Sequence, residues 1–461
     1  MNPTSLSRPY ATKGKSNAFL LLGLSLGYFI VLLDMTVLNV ALPAIRHDLG
    51  GGFAGMQWVS GAYTVVYACL LLAAGSLADR FGAKRMFIAG LAVFLAASVL
   101  SASASTLVVL IAARAFLGVG GAALLPASMA LLTHAYPNPA ARARALGVWA
   151  SVSGIAMAAG PIVGGVLVDS FGWRSIFLLN VPIALASIAI AAAGTQETSR
   201  RLEASFDTGG QLSAIVAAGA LTFGLVQGGV VGWSAPQVAA AFVAAALGAA
   251  LFVRFEARGK SPMLPLGLFR VSDFSTGIAA GFAVNFAFSG LLFLLSLYFQ
   301  QTLGYSAFTA GLAFLPFMLP PAFNPMLTGR LVGRIGARIP AAIGFALLAA
   351  GTLVLLWAGE DSSYAVALIA QLLAGFGISF AIPSLVAAVA SSAPKEQAGI
   401  ASGALNASRQ LGAVLGVALL GTIAGSSGSF VAGMHAALYV ASAALLAGGA
   451  LSLAALGRRG R

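Results

Sequence analysis

The sequence predicts an all-α integral membrane protein with fourteen transmembrane helices, and three observations carry that expectation. Of the 461 residues, 59% are hydrophobic and only 8% charged, with a mean hydropathy of +0.96; a surface facing water needs about a quarter charged. The apolar residues fall in long runs, many close to the ~20 residues a helix needs to cross hydrocarbon. The basic residues between those runs fall almost wholly on alternate loops, and so on one side of the membrane.

In chain order the runs are 17–41, 56–78, 86–104, 106–131, 146–168, 174–194, 209–229, 236–254, 274–299, 307–328, 339–358, 363–390, 400–424 and 432–456. The first follows a basic tail and resembles a signal-peptide core, but its length and the thirteen further runs make it a retained anchor. Pro320, Pro321 and Pro325 interrupt the tenth, which predicts an irregular helix there. No hydrophilic block is long enough to form a separate soluble domain.

With the N-terminus inside, 21 of the 25 Lys and Arg lie on the cytoplasmic side; only Arg46 and Arg174 lie outside, and Arg114 and Arg409 sit within helices. Both termini are therefore expected in the cytoplasm, with the chain in the cytoplasmic (inner) membrane. The net charge of +13 becomes a topogenic signal and a contact for anionic lipids, and nucleic acid is not an expected partner.

An internal repeat sets the organisation. Gly75, Arg80, Gly82 and Lys84 recur in spacing as Gly329, Arg334, Gly336 and Arg338, 254 residues later. A duplication of two six-helix halves would place them about 200 residues apart, so roughly two further helices separate the halves. The expected order is a tail at 1–16, a six-helix bundle at 17–194, a linker at 195–208, two accessory helices at 209–254, a linker at 255–273, a second six-helix bundle at 274–456 and a tail at 457–461. Secondary transporters are often repeats of this kind around a central site.

Several function classes drop out. The single Cys69 forms no internal disulfide, and His47, His134 and His435 are too scattered in sequence to suggest a metal site. Gly14, Lys15 and Ser16 resemble the end of a phosphate-binding loop, but Pro9 stands where its first glycine is needed. No nucleophile–base set suggests an enzyme. No cofactor is expected, and the energy source is expected to be an ion gradient.

At the motifs the resemblance becomes specific. Gly75, Asp79, Arg80, Gly82, Lys84 and Arg85 match the signature loop between helices 2 and 3 of the major facilitator superfamily. Asp34, Thr36, Asn39 and Pro43 in the first run, Arg114, Gly118, Gly120 and Gly121 in the fourth, and Gly160, Pro161, Gly164 and Gly165 in the fifth resemble its fourteen-helix drug:proton antiporter branch. The stretch with Ser402, Asn406, Arg409 and Gln410 in the thirteenth run also resembles that branch, whereas Leu117 replaces the family's frequent glutamine. The resemblance implies a major facilitator fold, a multidrug efflux function, no cofactor beyond the proton gradient, and a monomer working on a small-molecule substrate with protons and membrane lipids as its other partners.

Each motif also has a physical reading. A carboxylate at the depth of Asp34 costs ~2.5–3.5 kcal/mol even on lenient scales, so it must face protein or water and is a natural proton carrier. Arg114 does not release protons but can compensate that charge, so Asp34 and Arg114 are the expected proton-coupling pair. Asp79, Arg80, Lys84 and Arg85, with Gly75 and Gly82, are expected to latch neighbouring helix ends. Gly160, Pro161, Gly164 and Gly165 permit a close helix interface. Ser402, Asn406 and Gln410 recur every four residues beside Arg409 and form a polar stripe that must face helices or a cavity; Gln57, Tyr63, Asn285 and Gln371 are further cavity candidates. The expected cycle is proton:substrate antiport by alternating access, in which protonating Asp34 from outside discards a lipophilic or cationic drug. The alternatives are a proton-coupled or facilitative carrier of a small metabolite and, more remotely, a membrane sensor.

Overall fold

The computed structural model describes residues 13–198, 207–259, 262–394 and 397–457. Residues 1–12 and 458–461 of the expected tails and 199–206 of the first linker lie outside the described residues, as do 260–261 and 395–396.

The described chain is helical throughout. It runs α1 (Lys13–Leu49), α2 (Gly52–Phe81), α3 (Ala83–Ala102), α4 (Leu107–Ala135), α5 (Pro139–Phe171), α6 (Ser175–Leu178), α7 (Asn180–Gly194), α8 (Thr208–Val231) and α9 (Pro236–Arg258). It continues as α10 (Ser272–Leu297), α11 (Ala307–Ala313), α12 (Leu315–Phe323), α13 (Pro325–Ile335), α14 (Arg338–Val354), α15 (Tyr364–Ser392), α16 (Ala398–Gly425) and α17 (Phe430–Ala455). Twelve stretches of the described residues are long and apolar enough to cross a membrane, and α2, bent by 58° between Leu71 and Ala73, makes thirteen. The tenth expected span is broken into α11, α12 and α13. Pro316 and Pro325 sit in the first turns of α12 and α13, where a missing N–H costs no hydrogen bond. With α11 to α13 read as one broken span, the described helices are consistent with fourteen passages, and the prolines of the tenth run appear as breaks.

α1 to α7 pack as one group, with α1 on α5 and α7, and α4 on α2 and α3. α10 to α17 form a second, built on α10 with α16 and α17, and α14 with α15. α8 and α9 pair with each other, and α8 leans on α2 and α16 where the groups meet. Lipid offers no hydrophobic drive for helix association, so close contact at small residues supplies it. A Cβ on Gly120 would lie 2.7 Å from the Gly90 carbonyl, and one on Gly377 would lie 2.7 Å from that of Gly344.

Arg80, Lys84, Arg144, Arg258, Arg334 and Arg338 lie at helix ends on one side of the bundle, the basic face. The two repeated hairpins on that face turn on equivalent glycines, Gly82 at φ 97° and Gly336 at φ 79°, a region that residues with a Cβ avoid. The repeat read from sequence is therefore also a repeat of backbone geometry.

Candidate functional site

Asp34 on α1 and Arg114 on α4 form an ion pair, each only 1% exposed. Arg114 also donates through Nε to the Val59 carbonyl on α2 at 3.1 Å. Its guanidinium lies 4.8 Å from the ring centroid of Tyr63 and 6.0 Å from that of Phe177. Asn180, where α6 breaks into α7, reaches Asp34 Oδ1 at 3.5 Å and Ser98 Oγ at 3.3 Å. Five helices thus close around one buried pair of opposite charges, with the extra hydrogen bonds such a pair requires. Asn180 and Ser98 were missed in the sequence; an asparagine inside an apolar run was the available signal. Tyr63, expected in a cavity, instead packs against this pair. Its hydroxyl is buried without a partner and would touch a Cβ at Gly121.

The signature loop does two separate things. Glu197, beyond α7, accepts from the backbone N–H of Lys84 at 2.9 Å and of Arg85 at 3.3 Å, capping the start of α3 as an anion at a helix N-terminus should. Lys84 Nζ donates to the carbonyls of Ala192 and Thr195 at the end of α7, 2.8 Å each. Asp79 and Arg80 are exposed and hold no ion pair among the described residues. The loop therefore ties α3 to α7, and its acid–base step at the end of α2 is open.

Contacts between the two groups gather away from the basic face. Gln57 donates to the carbonyls of Val417 (3.2 Å) and Ala418 (2.7 Å) and to Thr422 Oγ1. Ser296 Oγ donates to the Asn39 carbonyl at 2.5 Å and Gln300 to that of Val40 at 3.1 Å. Asp169 accepts from the N–H groups of Ala307 and Phe308, 3.2 and 2.8 Å. Gly160 and Gly164 pack on Thr36 and Val37 of α1, whereas Gly165 lies against the backbone of Ala307, and the Pro161 carbonyl lies against Gly311. Gln57 thus belongs to a seal rather than to a cavity wall. The glycine motif serves both an internal interface and that seal.

On the basic-face side of the seal the groups meet through polar and aromatic side chains. Arg409 of α16 is half-buried and donates through Nε to Asn285 Oδ1 of α10 at 3.1 Å. Tyr28 and Tyr67, from α1 and α2, face Arg409 electrostatically, and Tyr67 also interacts with Gln410. Tyr28 stacks on Trp149 of α5, centroids 4.6 Å apart and planes at 10°; neither ring was singled out in the sequence. Ser402 and Asn406, nearer the basic face, are half-buried. The partly exposed stripe of Ser402, Asn406 and Arg409 along α16 is what we call the cleft; Tyr63 and Tyr67 stack at 5.8 Å, so a short aromatic path joins the Arg114 pair to it. Gln371 lies elsewhere, packed between α10, α12, α14 and α15 with no room for a water beside it; its amide makes no hydrogen bond within normal limits, and Tyr364 is the polar side chain near it.

With this geometry in place, the chain matches the model of the Major Facilitator Superfamily over residues 24–417 and again over 280–460. It is 37% identical over 437 residues to the methylenomycin A resistance protein of Bacillus subtilis (strain 168), spanning 95% of this chain and 92% of that one. It is 36% identical over 403 residues to the multidrug resistance protein Stp of Mycobacterium tuberculosis (strain CDC 1551 / Oshkosh), spanning 87% and 75%. The crystal structure of the peptide transporter POT in complex with sulfate superposes with a TM-score of 0.72 over 97% of this chain and 95% of that one, at 15% identity; that is a likeness of fold.

Proposed function

The chain belongs to the Major Facilitator Superfamily, and from that premise we propose that it is a drug:proton antiporter, exporting lipophilic drugs and antibiotics across the cytoplasmic membrane by alternating access. It is a multi-pass membrane transporter, and the relatives named for methylenomycin A and multidrug resistance support a drug exporter. The basic face is cytoplasmic by the positive-inside rule. The seal then lies outward and the cleft at Arg409 opens inward, so the conformation described is the one that loads substrate. The carrier works as a monomer with no cofactor, on the proton gradient, at ~2.3 kcal/mol per charge per 100 mV plus the pH term.

The observation that carries proton coupling is the buried Asp34–Arg114 pair. While Asp34 is ionised the pair is neutral as a whole. Once Asp34 takes a proton, Arg114 is left a buried cation with Val59 and two rings. Breaking a buried pair from one side costs about 3–5 kcal/mol. That approaches the ~5.5 kcal/mol that moves a two-state equilibrium from 1:99 to 99:1. Because the pair is packed away from the cleft, protonation acts on which conformation is stable, through Arg114 and the Tyr63–Tyr67 stack, rather than by displacing the drug directly.

The test is Asp34→Asn in proteoliposomes, using a drug identified by susceptibility of a pump-deficient host with and without the chain. The amide leaves Arg114 unpaired, as protonation does, at about 3–5 kcal/mol, so the variant should fold with a lower melting temperature and still bind the drug. It should lose uphill pH-driven efflux and drug-linked proton movement while keeping downhill exchange. Retention of full pH-driven efflux by Asp34→Asn places coupling elsewhere.

A further inference from the structure

Resting on the exporter reading, we propose that the cleft selects lipophilic substrates carrying a negative charge, such as a carboxylate, a sulfonate or an ionised phenol, and that Arg409 binds that charge. Asp34 and Arg114 neutralise each other, which leaves Arg409 as the cation of the membrane interior with no carboxylate partner among the described residues. Asp34 lies six residues along α1 from Tyr28, a rise of ~9 Å, and is already paired. Asp79 lies twelve residues beyond Tyr67, ~18 Å along α2.

An arginine at this depth is costly to keep. Its only hydrogen-bond partner among the described residues is the neutral Asn285, which engages one of five N–H groups. The free donors suit a two-pronged grip on a carboxylate or sulfonate. Gly281 makes the position possible: a Cβ there would lie 3.2 Å from Arg409 Cγ. The Tyr28–Trp149 stack supplies a flat apolar wall beside the charge. Nearer the basic face, a separate cavity of ≈ 260 Å³ is lined by Leu21, Tyr136, Ala145 and Val148 with Arg144 at its edge. A cationic drug would meet the Arg409 charge with no acid paired to it among the described residues.

The experiment compares tetraphenylborate with tetraphenylphosphonium, ions of nearly equal size and opposite charge, binding to the full-length protein in detergent by calorimetry. The borate offers a charge but no hydrogen-bond acceptor, so the parent should favour it by about 10-fold or more through charge attraction alone. Arg409→Gln should reduce that preference to about 2-fold or less, and Arg409→Lys, which keeps the charge, should keep most of it. Asn285→Ala, which frees the guanidinium without altering charge, should keep the sign of the preference and lower its size; it guards against misfolding of the arginine variants, as does an unchanged melting temperature. A parent that binds the phosphonium equally or better overturns the inference, as does a preference that survives Arg409→Gln in folded protein. Host susceptibility to acidic and basic drugs separates the two readings. Resistance independent of drug charge and of Arg409 removes the anion site and keeps the exporter. Charge-selective binding without resistance to any drug keeps the site and removes the exporter.

Discussion

The two halves of the molecule each hold an arginine within a spanning helix, and they treat it differently. Arg114 is enclosed by a carboxylate, a backbone carbonyl and two aromatic faces. Arg409 has one neutral amide and a cleft. A paired charge is costly to break and so stores a two-state choice; an unpaired one at a cleft is kept for something that arrives. The N-terminal half is thereby built as the switch and the C-terminal half as the receptor, although both descend from one repeated pattern.

Stability is the most direct way to break that comparison. Arg114→Gln strands a buried carboxylate and should destabilise the protein by about 3–5 kcal/mol. Asp34→Asn combined with Arg114→Gln should recover most of the loss, as expected for residues in one network. Arg409→Gln removes a charge with no acid partner and should leave the melting temperature within a few degrees of the parent or above it. Thermal unfolding in one detergent measures all of these. If Arg409→Gln costs as much as Arg114→Gln, the halves do not differ in this respect.

The seal offers a next, smaller effect. Gly165→Leu would drive a side chain into the backbone of Ala307 and Phe308 and should shift the population toward the form open on the face opposite the basic one. Transport should fall by about 10-fold, within the 1–3 kcal/mol typical of overpacking. Gln57→Ala, which leaves two carbonyls and Thr422 without their donor, should act in the same direction but more weakly. A cysteine introduced at Phe53 in a Cys69→Ala background reports the change as faster alkylation from that face. Unchanged alkylation in both variants would show that these contacts do not hold the seal.

Much of this was legible before any coordinates, for identifiable reasons. Lipid forces backbone hydrogen bonds to close within each segment, so thirteen of the spans follow from apolar length, and the prolines of 307–328 announce the broken one. Asp34 and Arg114 stood out because charges in hydrocarbon are rare, and their contact joins residues 80 apart. The rest depended on which face of a helix meets which neighbour. Gln57 and Gln371 look alike as polar residues in apolar runs, yet one bridges the halves and the other is packed within the second group. Tyr28 and Trp149 read as ordinary apolar bulk until the fold stacks them beside Arg409. Glu197 lay in a linker, with no local pattern to show that it caps α3.

The signature loop and its repeat extend the comparison to the surface. Asp79→Asn and Arg80→Ala should slow turnover by several-fold with little effect on drug binding, since neither side chain holds an ion pair among the described residues in the loading conformation. The second copy has Gly333 in place of Asp79, so charge changes at Arg334 should matter less. Parent-like turnover of Asp79→Asn in proteoliposomes would remove the latch from the mechanism. Glu197→Gln tests the other function of the loop: it weakens a charged cap, worth roughly 0.3–1 kcal/mol, and should lower the melting temperature slightly.

The smallest effect is expected at Tyr63, where the switch meets the cleft. Its ring lies under Arg114 and stacks on Tyr67, while its hydroxyl is buried with no hydrogen bond. An orphaned buried hydroxyl costs ~1–3 kcal/mol, a penalty this conformation bears and one in which the hydroxyl finds a partner need not. Tyr63→Phe keeps the ring over the guanidinium and removes only that penalty. The loading conformation should gain stability, so the melting temperature should rise by a degree or more while maximal turnover falls two- to threefold, about 0.5 kcal/mol. Tyr67→Phe should not raise the melting temperature, because the Tyr67 hydroxyl interacts with Tyr28 and Gln410. A lower melting temperature for Tyr63→Phe would mean that its hydroxyl is bonded in solution. The aromatic path would then be a fixed strut, and the switch and the receptor would have to communicate through the seal instead.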